Sequence, residues 1–336
     1  MSSPPATRFF SFTDPEPYGK AIRAQVEVFV AAKGDFRAEL MQVDLQRLWL
    51  QRAHENLPRL FHSTLSGRRT PVIFLTAPDQ RPIQHSGMNV SPGEIVVPRQ
   101  ASVHHHRSFA ACHWGSLSLT PDDLAEAGRA IAGRELAAPP TTQVMRPPAA
   151  RMTRLLALHR EAGKLAEDAP HRLAHPEVAR ALEQQLTHAM VMCLAEGTAV
   201  EVSAGTRRHS LIVARLEHLF AANSDRPLYL GELCAATGVS ERTLRACCHE
   251  HVGMGPVHYL WLRRMHLAHR ALVQADPGTE SVTAIATNHG FWELGRFSVD
   301  YRAMFGESPS ASLRRPSGRR RMSAGRPFAL PIAETA

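Results

Sequence analysis

The feature that most constrains the fold is a helical pattern that occurs twice in the last third of this 336-residue chain. The first copy covers residues 230–256 and the second covers residues 282–309. Equivalent landmarks in the two copies lie 52 or 53 residues apart: Leu233 and Ile285, Gly238 and Gly290, Leu244 and Phe297, Gly253 and Gly306, and Pro256 and Pro309. A spacing that is kept over five landmarks predicts two structural units of the same kind.

Each copy has the pattern of a helix-turn-helix, in which two short helices are joined by a tight turn. The predicted core positions of the two units are Leu233, Gly238, Leu244, Ile285, Gly290 and Phe297. The two glycines would end the first helix of each unit, because a left-handed backbone costs least in a residue without a Cβ atom. The apolar residues would pack the two helices together, which leaves the opposite face of the second helix outward.

The outward face of each second helix is rich in Arg, Thr and Ser. It carries Arg242, Thr243, Arg245 and His249 in the first unit, and Leu294, Gly295, Arg296, Ser298 and Arg302 in the second. Residues 207–325 contain 16 Arg and no Lys against 10 acidic residues. Planar guanidinium groups bind phosphates and guanine edges through paired hydrogen bonds, so this surface indicates DNA binding. A structural helical hairpin would need the core positions but not this surface.

One long helix over residues 256–274 is predicted between the two copies. Its 19 residues would span roughly 28 Å at the rise of an α-helix. Successive major grooves on one side of a duplex lie about 34 Å apart. A rigid connector of this length suits two recognition helices that enter neighbouring major grooves, with some bending of the DNA.

Over residues 208–315 these motifs resemble the DNA-binding module of the AraC/XylS transcriptional regulators. The second copy carries the Gly-Phe, Phe-Ser-x-x-Tyr and Phe-Gly-x-Ser-Pro elements of that family within residues 289–309. The first copy carries Gly-Val-Ser-x-Arg-Thr-Leu-Arg at residues 238–245 and Gly-Met-x-Pro-x-x-Tyr-Leu at residues 253–260. The resemblance implies sequence-specific binding to promoter DNA, activation through contact with RNA polymerase, and a homodimer.

The resemblance also assigns roles by position. Base contacts fall on Arg242, Thr243, Arg245, Leu294, Gly295, Arg296 and Ser298, and phosphate contacts on His249 and Arg302. The chain departs from the family at Ala246 and Val299, where relatives often carry Arg or another polar residue that reads bases. Cys247 and Cys248 replace bulky apolar residues on the inner face of the first recognition helix. We therefore expect the first unit to be less tightly packed and the second to dominate DNA affinity. The two thiols are predicted to be buried and inert, with a redox switch as the alternative.

Residues 9–120 have the pattern of short strands separated by turns, as in residues 71–77, 95–97 and 108–119. Turn signals about every 8–12 residues predict a β-sandwich or barrel. This part also resembles, more distantly, the cupin-like sensor domain that precedes the DNA-binding module in many relatives. That resemblance implies a small-molecule effector whose binding shifts domain contacts or dimerisation, and so DNA occupancy. The effector and its binding residues stay unidentified.

The predicted fold class is α+β: an N-terminal cupin-like β-barrel or sandwich with flanking helices, and a C-terminal all-α domain of two helix-turn-helix units joined by a long helix. The predicted segments are an effector-sensing domain at 1–136, a linker and helical segment at 137–206, a DNA-binding domain at 207–316 with motifs at 230–251 and 282–305, and a disordered tail at 317–336.

The middle segment allows two interpretations. Four prolines within residues 137–150 predict a linker, and two helices are predicted after it, at 151–167 and 176–196. The second helix has an apolar stripe formed by Val178, Leu182, Leu186, Met190 and Leu194. Such a stripe has to pack on something. We expect it to belong to the core of the domain, and the alternative is a dimer interface.

Other site types find little support. The run His104, His105 and His106, with His85 and His113, is predicted to lie in solvated loops, because no carboxylate follows it at the spacing of a cupin metal site. The sequence also contains no phosphate-binding loop. From these two observations we expect no bound metal, no cofactor and no enzymatic activity. No run approaches the about 18 apolar residues of a membrane span. The chain start lacks a secretory pattern, and five Cys without a Cys-x-x-Cys pair fit a reducing cytoplasm.

Three functions stay open at this point. The first is an effector-responsive transcriptional activator, whose partners would be promoter DNA, RNA polymerase, a small effector and a second copy of the chain. The second is an enzyme whose cupin-like catalytic barrel is targeted to DNA by the helix-turn-helix units. The third is an architectural DNA-binding protein without sequence preference.

Overall fold

The computed structural model describes residues 5–200, 204–223 and 226–314, so the predicted tail at 317–336 lies outside the described residues. The fold class is α+β, as predicted, with antiparallel sheets followed by helices. The strands are β1 Ala6–Phe12, β2 Gln25–Val30, β3 Ala38–Asp44, β4 Trp49–Glu55, β5 Arg59–Thr64, β6 Thr70–Leu75, β7 Ile83–His85, β8 Met88–Val90, β9 Ile95–Val97, β10 Val103–Arg107, β11 Cys112–Leu119, β12 Gln143–Arg146 and β13 Thr198–Ala199. The helices are α1 Pro15–Ala21, α2 Pro121–Ala132, α3 Ala149–Asp168, α4 Pro170–Leu173, α5 Pro176–Glu196, α6 Ala204–Ala222, α7 Leu230–Thr237, α8 Glu241–His251, α9 Pro256–Gln274, α10 Val282–Asn288, α11 Leu294–Phe305 and α12 Pro309–Leu313.

Two antiparallel sheets share one apolar core. The larger sheet has the strand order β1-β3-β4-β11-β6-β9-β12-β13, and the smaller has the order β2-β5-β10-β7-β8. Leu40 and Trp114 of the larger sheet pack in the same buried cluster as Val28 and Phe61 of the smaller one. The prediction of short antiparallel strands for residues 9–120 is confirmed.

The larger sheet buries its other face against helices. Residues such as Met41 and Leu117 lie in a second apolar cluster together with α2, α3 and α5. Leu186, Met190 and Leu194 of the α5 stripe are 0%, 0% and 6% exposed in this cluster. These residues belong to the core of the domain, which leaves Val178, at 38% exposure, as the stripe residue open to solvent.

The predicted linker is partly wrong. Residues 137–150 contain β12, which pairs with β9 through Gln143 and Val97, and they run into the first turn of α3. Val144 is 1% exposed between the sheets, and burying this β-branched residue favours a strand over a free linker. The two predicted helices are observed as α3 and α5.

The C-terminal helices match the predicted repeat in order and length. Gly238 and Gly290 follow α7 and α10 with φ angles of 69° and 79°, the left-handed conformation in which a side chain would be strained. The connector α9 covers Pro256–Gln274 as one helix. An apolar cluster packs α6 through α12 together and also includes Phe29 and Leu60 of the smaller sheet.

The histidine run was expected in solvated loops, and this prediction is wrong. His104, His105 and His106 lie on β10 and are 2%, 3% and 7% exposed, and His85 on β7 is fully buried. The strand β10 lies between β5 and β7, so both of its edges are paired, and the burial of three successive histidines shows that both of its faces are covered. His113 lies on β11 and is half-buried, with its ring stacked on His54.

Among the described residues, no helix combines the length and the apolar character that crossing a lipid bilayer requires.

Candidate DNA-contact surface and internal cavity

The helix α8 presents a polar outer face because Leu244, Cys247 and Cys248 occupy its inner face at 0% exposure. Ser240 caps the helix by accepting a hydrogen bond from the backbone N–H of Thr243 at 3.3 Å. The predicted contact residues are therefore held on a regular helix from its first turn onwards.

The outer face of α8 is polar and open to solvent. Arg242, Arg245 and His249 are exposed, and Thr243 is half-buried beside the cap. The guanidinium of Arg245 pairs with Glu241 at 2.8 Å along the same helix. Burial raises the pKa of the Cys248 thiol to about 12, so this thiol stays protonated and unreactive at neutral pH.

The helix α11 has the same division into two faces. Phe297 is 2% exposed in the core, and its ring packs between Phe291 and Tyr301 at centroid distances of 4.8 and 5.5 Å. On the outer face, Gly295, Arg296 and Arg302 are exposed. The side chain of Arg296 is 77% exposed, and its nearest carboxylate, that of Asp300, is 3.7 Å away.

Two predicted contact residues on α11 already make contacts inside the protein. Leu294 packs against the core of the helical domain, and the hydroxyl of Ser298 donates to the carbonyl of Leu294 at 2.9 Å. Trp292, directly before α11, is 81% exposed and was not singled out from the sequence. An apolar residue at an outward position of the motif is the signal that could have identified it.

The two recognition helices turn their C-terminal ends towards the N-terminal part. Arg107 donates to the carbonyl of Gly253, just after α8. Asp35 lies directly against Gly306, just after α11. The C-terminal ends of both helices are therefore the ends that contact the N-terminal part.

A cavity of about 330 Å³ opens between the two sheets. Its walls include the apolar side chains of Phe61, Ile73 and Trp114 and the polar side chains of Gln51 and Ser116. Small-molecule sites measure roughly 300–1,000 Å³ and combine apolar walls with a few polar groups. The cavity therefore has the size and lining of a site for a compact ligand.

The charged side chains that line this cavity are arginines, two of which are paired with carboxylates outside the lining, Arg23 with Asp44 and Arg59 with Glu55. Its lining contains Arg23, Arg59, Arg68 and Arg69 and no Asp or Glu. The guanidinium groups of Arg23 and Arg69 lie on the ring of Trp49, at 4.5 and 4.1 Å from its centre. Burial lowers the pKa of both arginines, which stay charged at neutral pH. Sequence reasoning missed these arginines, because residues from three separate segments meet only in the fold.

The smaller sheet separates the cavity from the helical domain. Successive side chains of a strand point to opposite faces. On β5, Phe61 and Ser63 line the cavity, whereas Leu60 joins the helical core and His62 contacts α6. One sheet therefore touches both a ligand-sized cavity and the DNA-binding helices.

Contacts across the outer face of this sheet are specific. The ring of Phe29 meets the rings of Tyr259 and His266 on α9 edge-on, at 6.4 and 5.2 Å. The carboxylate of Glu27 pairs with Arg270 at 3.1 Å. Burial on its own would raise the pKa of Glu27, but His62 and the neighbouring arginines lower it to about 2, so the carboxylate is charged.

The C-terminal helical domain is similar in sequence to known helix-turn-helix proteins. Residues 233–315 match the family described as a helix-turn-helix domain. The probable thc operon regulatory protein of Rhodococcus erythropolis is 34% identical over 45% of this chain and 47% of its own length. XylDLEGF operon transcriptional activator 1 of Pseudomonas putida is 28% identical over 46% of this chain and 45% of its own. The chain thus matches about half the length of these relatives. Among solved structures, the AraC-like transcriptional activator CuxR is 16% identical over 78% of this chain and 96% of its own, with a TM-score of 0.41.

Proposed function

We propose that this chain is a sequence-specific activator of the AraC/XylS type that inserts α8 and α11 into neighbouring major grooves of promoter DNA. The match of residues 233–315 to a helix-turn-helix family and the likeness to operon regulators support this proposal. The relatives that the chain matches are transcriptional regulators rather than enzymes, so a catalytic barrel is not favoured. In this proposal the chain acts as a homodimer and contacts RNA polymerase.

One observation carries the proposal. The second helix of each unit exposes arginines, Arg242 and Arg245 on α8 and Arg296 on α11, and a single 19-residue helix joins the two units. Arginine on the first turns of a recognition helix binds guanine O6 and N7 through paired hydrogen bonds. We assign base contacts to Arg242, Thr243, Arg245, Leu294, Gly295, Arg296 and Ser298, and phosphate contacts to His249 and Arg302.

Genome-wide footprinting tests this proposal, because it shows which promoters the protein protects and so identifies the regulated genes. Binding to a protected site should exceed binding to random DNA by about 10³–10⁷-fold. Arg242→Ala and Arg296→Ala should each weaken the specific complex. The matched control is Arg180→Ala, because Arg180 is an exposed arginine on α5. Equal affinity for random DNA would favour the architectural alternative and refute sequence-specific regulation.

We propose further that the cavity binds a small organic anion that controls DNA binding. Arg23 and Arg59 are paired with Asp44 and Glu55, so Arg68 and Arg69 are the lining arginines that favour an anionic head group. Phe61, Ile73 and Trp114 favour an apolar or aromatic body. Such a ligand would contact the inner face of the smaller sheet, whose outer face packs on α9 through Phe29. Effector binding would thereby shift the position of the helical domain relative to the sheets.

The effector class is testable with isosteric pairs such as benzoate and benzamide. Thermal stability of the full chain should rise with the carboxylate and not with the amide. Arg68→Gln should weaken this response, since Arg68 is an exposed arginine at the opening of the cavity. Arg129→Gln, on the exposed face of α2, is the control. A response to the amides that equals the response to the carboxylates would refute an anionic effector.

A further inference from the structure

Three metal-ligating side chains converge where the smaller sheet meets α6. His62 of β5 and His105 of β10 are cross-strand neighbours, and Glu217 of α6 approaches them from the helical domain. The ligand atoms of the three groups lie within 4.8 Å of one another. Nε2 of His105 is 2.7 Å from one carboxylate oxygen of Glu217, and Nε2 of His62 is 2.8 Å from the other.

The cluster is largely buried, with His62 at its more accessible side. Glu217 is 1% exposed and His105 is 3% exposed. The hydroxyl of Tyr259 donates to Oε1 of Glu217 at 3.2 Å and closes one side. A buried carboxylate requires a compensating cation, which is either a proton shared with the imidazoles or a metal ion.

One contact in the cluster is compatible with a metal ion as well as with an ion pair. The contact between Nε2 of His62 and Oε2 of Glu217 is short, but these two atoms are not aligned as a hydrogen bond. Two imidazole nitrogens and one carboxylate that share a small volume are the ligand set of three-coordinate protein zinc sites with an open fourth position. Ligand atoms around a tetrahedral zinc ion lie about 3.3 Å apart. The 2.7 and 2.8 Å contacts of Glu217 therefore have to lengthen by about half an ångström, and the two imidazoles have to adjust around the ion.

A second group orients one of the ligands. Nδ1 of His62 lies 3.4 Å from Glu27, which is also paired with Arg270. A ligating histidine almost always gives its other ring N–H to a carboxylate or carbonyl, which directs the lone pair of the remaining nitrogen at the metal. Glu27, His62 and His105 follow one another across β2, β5 and β10, so the sheet itself builds this arrangement.

We propose that His62, His105 and Glu217 bind one first-row divalent metal ion of the zinc type, which ties α6 to the smaller sheet. Imidazole and carboxylate ligands suit Zn²⁺, and Co²⁺ and Ni²⁺ are accepted by similar sites. Two ligands come from the N-terminal part and one from the helical part, so the ion stabilises their mutual contact. Binding the ion requires no DNA and no effector.

The test uses the full chain, stripped of metal with a chelator and titrated with ZnCl₂ in a calorimeter. We expect one equivalent of Zn²⁺ to bind, a rise in the thermal midpoint, and a visible absorption spectrum of a four- or five-coordinate ion when Co²⁺ replaces Zn²⁺. Glu217→Gln and His105→Gln should abolish stoichiometric binding. Glu27→Gln should weaken it about 10–100-fold, as expected for a group that only orients a ligand.

His188→Gln is the matched control, because His188 is an exposed histidine on α5 and should leave the titration unchanged. Circular dichroism of the metal-free variants reports whether each one folds. Even if a variant does not fold, the wild-type titration shows whether the chain binds one equivalent of Zn²⁺. Binding of less than one equivalent by the wild-type chain, or undiminished binding by folded Glu217→Gln, would overturn the proposal and leave a proton-linked cluster. DNA binding does not enter any of these measurements, so their failure is distinct from failure of the proposed regulatory function.

Discussion

The two helix-turn-helix units share one plan but differ in how their recognition helices are anchored. The helix α8 turns two small thiols, Cys247 and Cys248, towards the core, whereas α11 uses the large rings of Phe297 and Tyr301. In the first unit, the side chain of Ser240 caps α8 with a hydrogen bond. In the second unit, Glu293 precedes α11 and its side chain makes no capping hydrogen bond. Similar outer faces can therefore be supported by different inner contacts, and the two units need not contribute equally to stability or to DNA affinity.

The largest expected effect is a difference in stability between variants of the buried faces of α8 and α11. Phe297→Ala should lower the free energy of unfolding by about 3–5 kcal/mol, because it removes a buried ring and leaves a cavity. Cys247→Ala removes one sulfur atom and should cost about 1 kcal/mol. Urea unfolding followed by circular dichroism measures both changes. The exposed Val299→Ala serves as the control, and equal losses for Phe297→Ala and Cys247→Ala would contradict the difference in packing.

The next effect compares the two outer faces. Arg296→Ala should weaken binding to a footprinted site by about 1–3 kcal/mol, and Arg245→Ala should cost less. The physical reason is that Arg245 gives up its 2.8 Å ion pair with Glu241 when it reaches DNA, whereas Arg296 is more exposed and less engaged. Fluorescence anisotropy at a stated salt concentration measures the two affinities. If Arg296→Ala stays within about twofold of wild type while Arg245→Ala abolishes binding, the first unit dominates instead.

A third effect concerns α9, the helix that the two units share. Burial lowers the pKa of His266 to about 3, whereas the unfolded chain protonates near pH 6.5. At pH values between about 3 and 6.5, His266 is neutral in the folded chain and takes up a proton when the chain unfolds. The free energy of unfolding therefore falls as the pH decreases below 6.5, by up to about 1.4 kcal/mol per pH unit.

His266→Phe should remove this share of the acid sensitivity, since the ring lies between Phe29 and Phe305. The measurement is the difference in unfolding free energy between pH 7 and pH 5. The exposed His258→Gln should keep the wild-type slope. A wild-type slope in His266→Phe would show that this histidine does not contribute to acid unfolding.

The smallest effect tests the helix caps. Ser240→Ala should destabilise the first unit by about 1 kcal/mol, because it removes the acceptor for the N–H of Thr243. Glu293→Ala should change stability by only a few tenths of a kcal/mol, since no side-chain cap is lost. Thermal unfolding compares the two variants, and a loss in Glu293→Ala as large as that in Ser240→Ala would show that the caps do not distinguish the units.

The helix-turn-helix units were predictable because their determinants are local. Gly238 and Gly290 end their helices, Pro256 starts α9, and the intervening spacing places Leu244 and Phe297 in the core. The histidine run shows the limit of such reasoning. No carboxylate follows residues 104–106 at the spacing of a cupin metal site, yet Glu217 reaches His105 from 112 residues away.

The chain by itself determined where helices begin and end and which of their faces are apolar, since these depend on neighbours within a few residues. It also determined the excess of arginine over the last third. Only the tertiary structure decided that Arg23 and Arg69 meet at one cavity, that residues 143–146 join a sheet, and that His62, His105 and Glu217 share one buried volume. These contacts join distant segments, and their energies come from burial and from charge pairing that arise only when the sheets and helices pack.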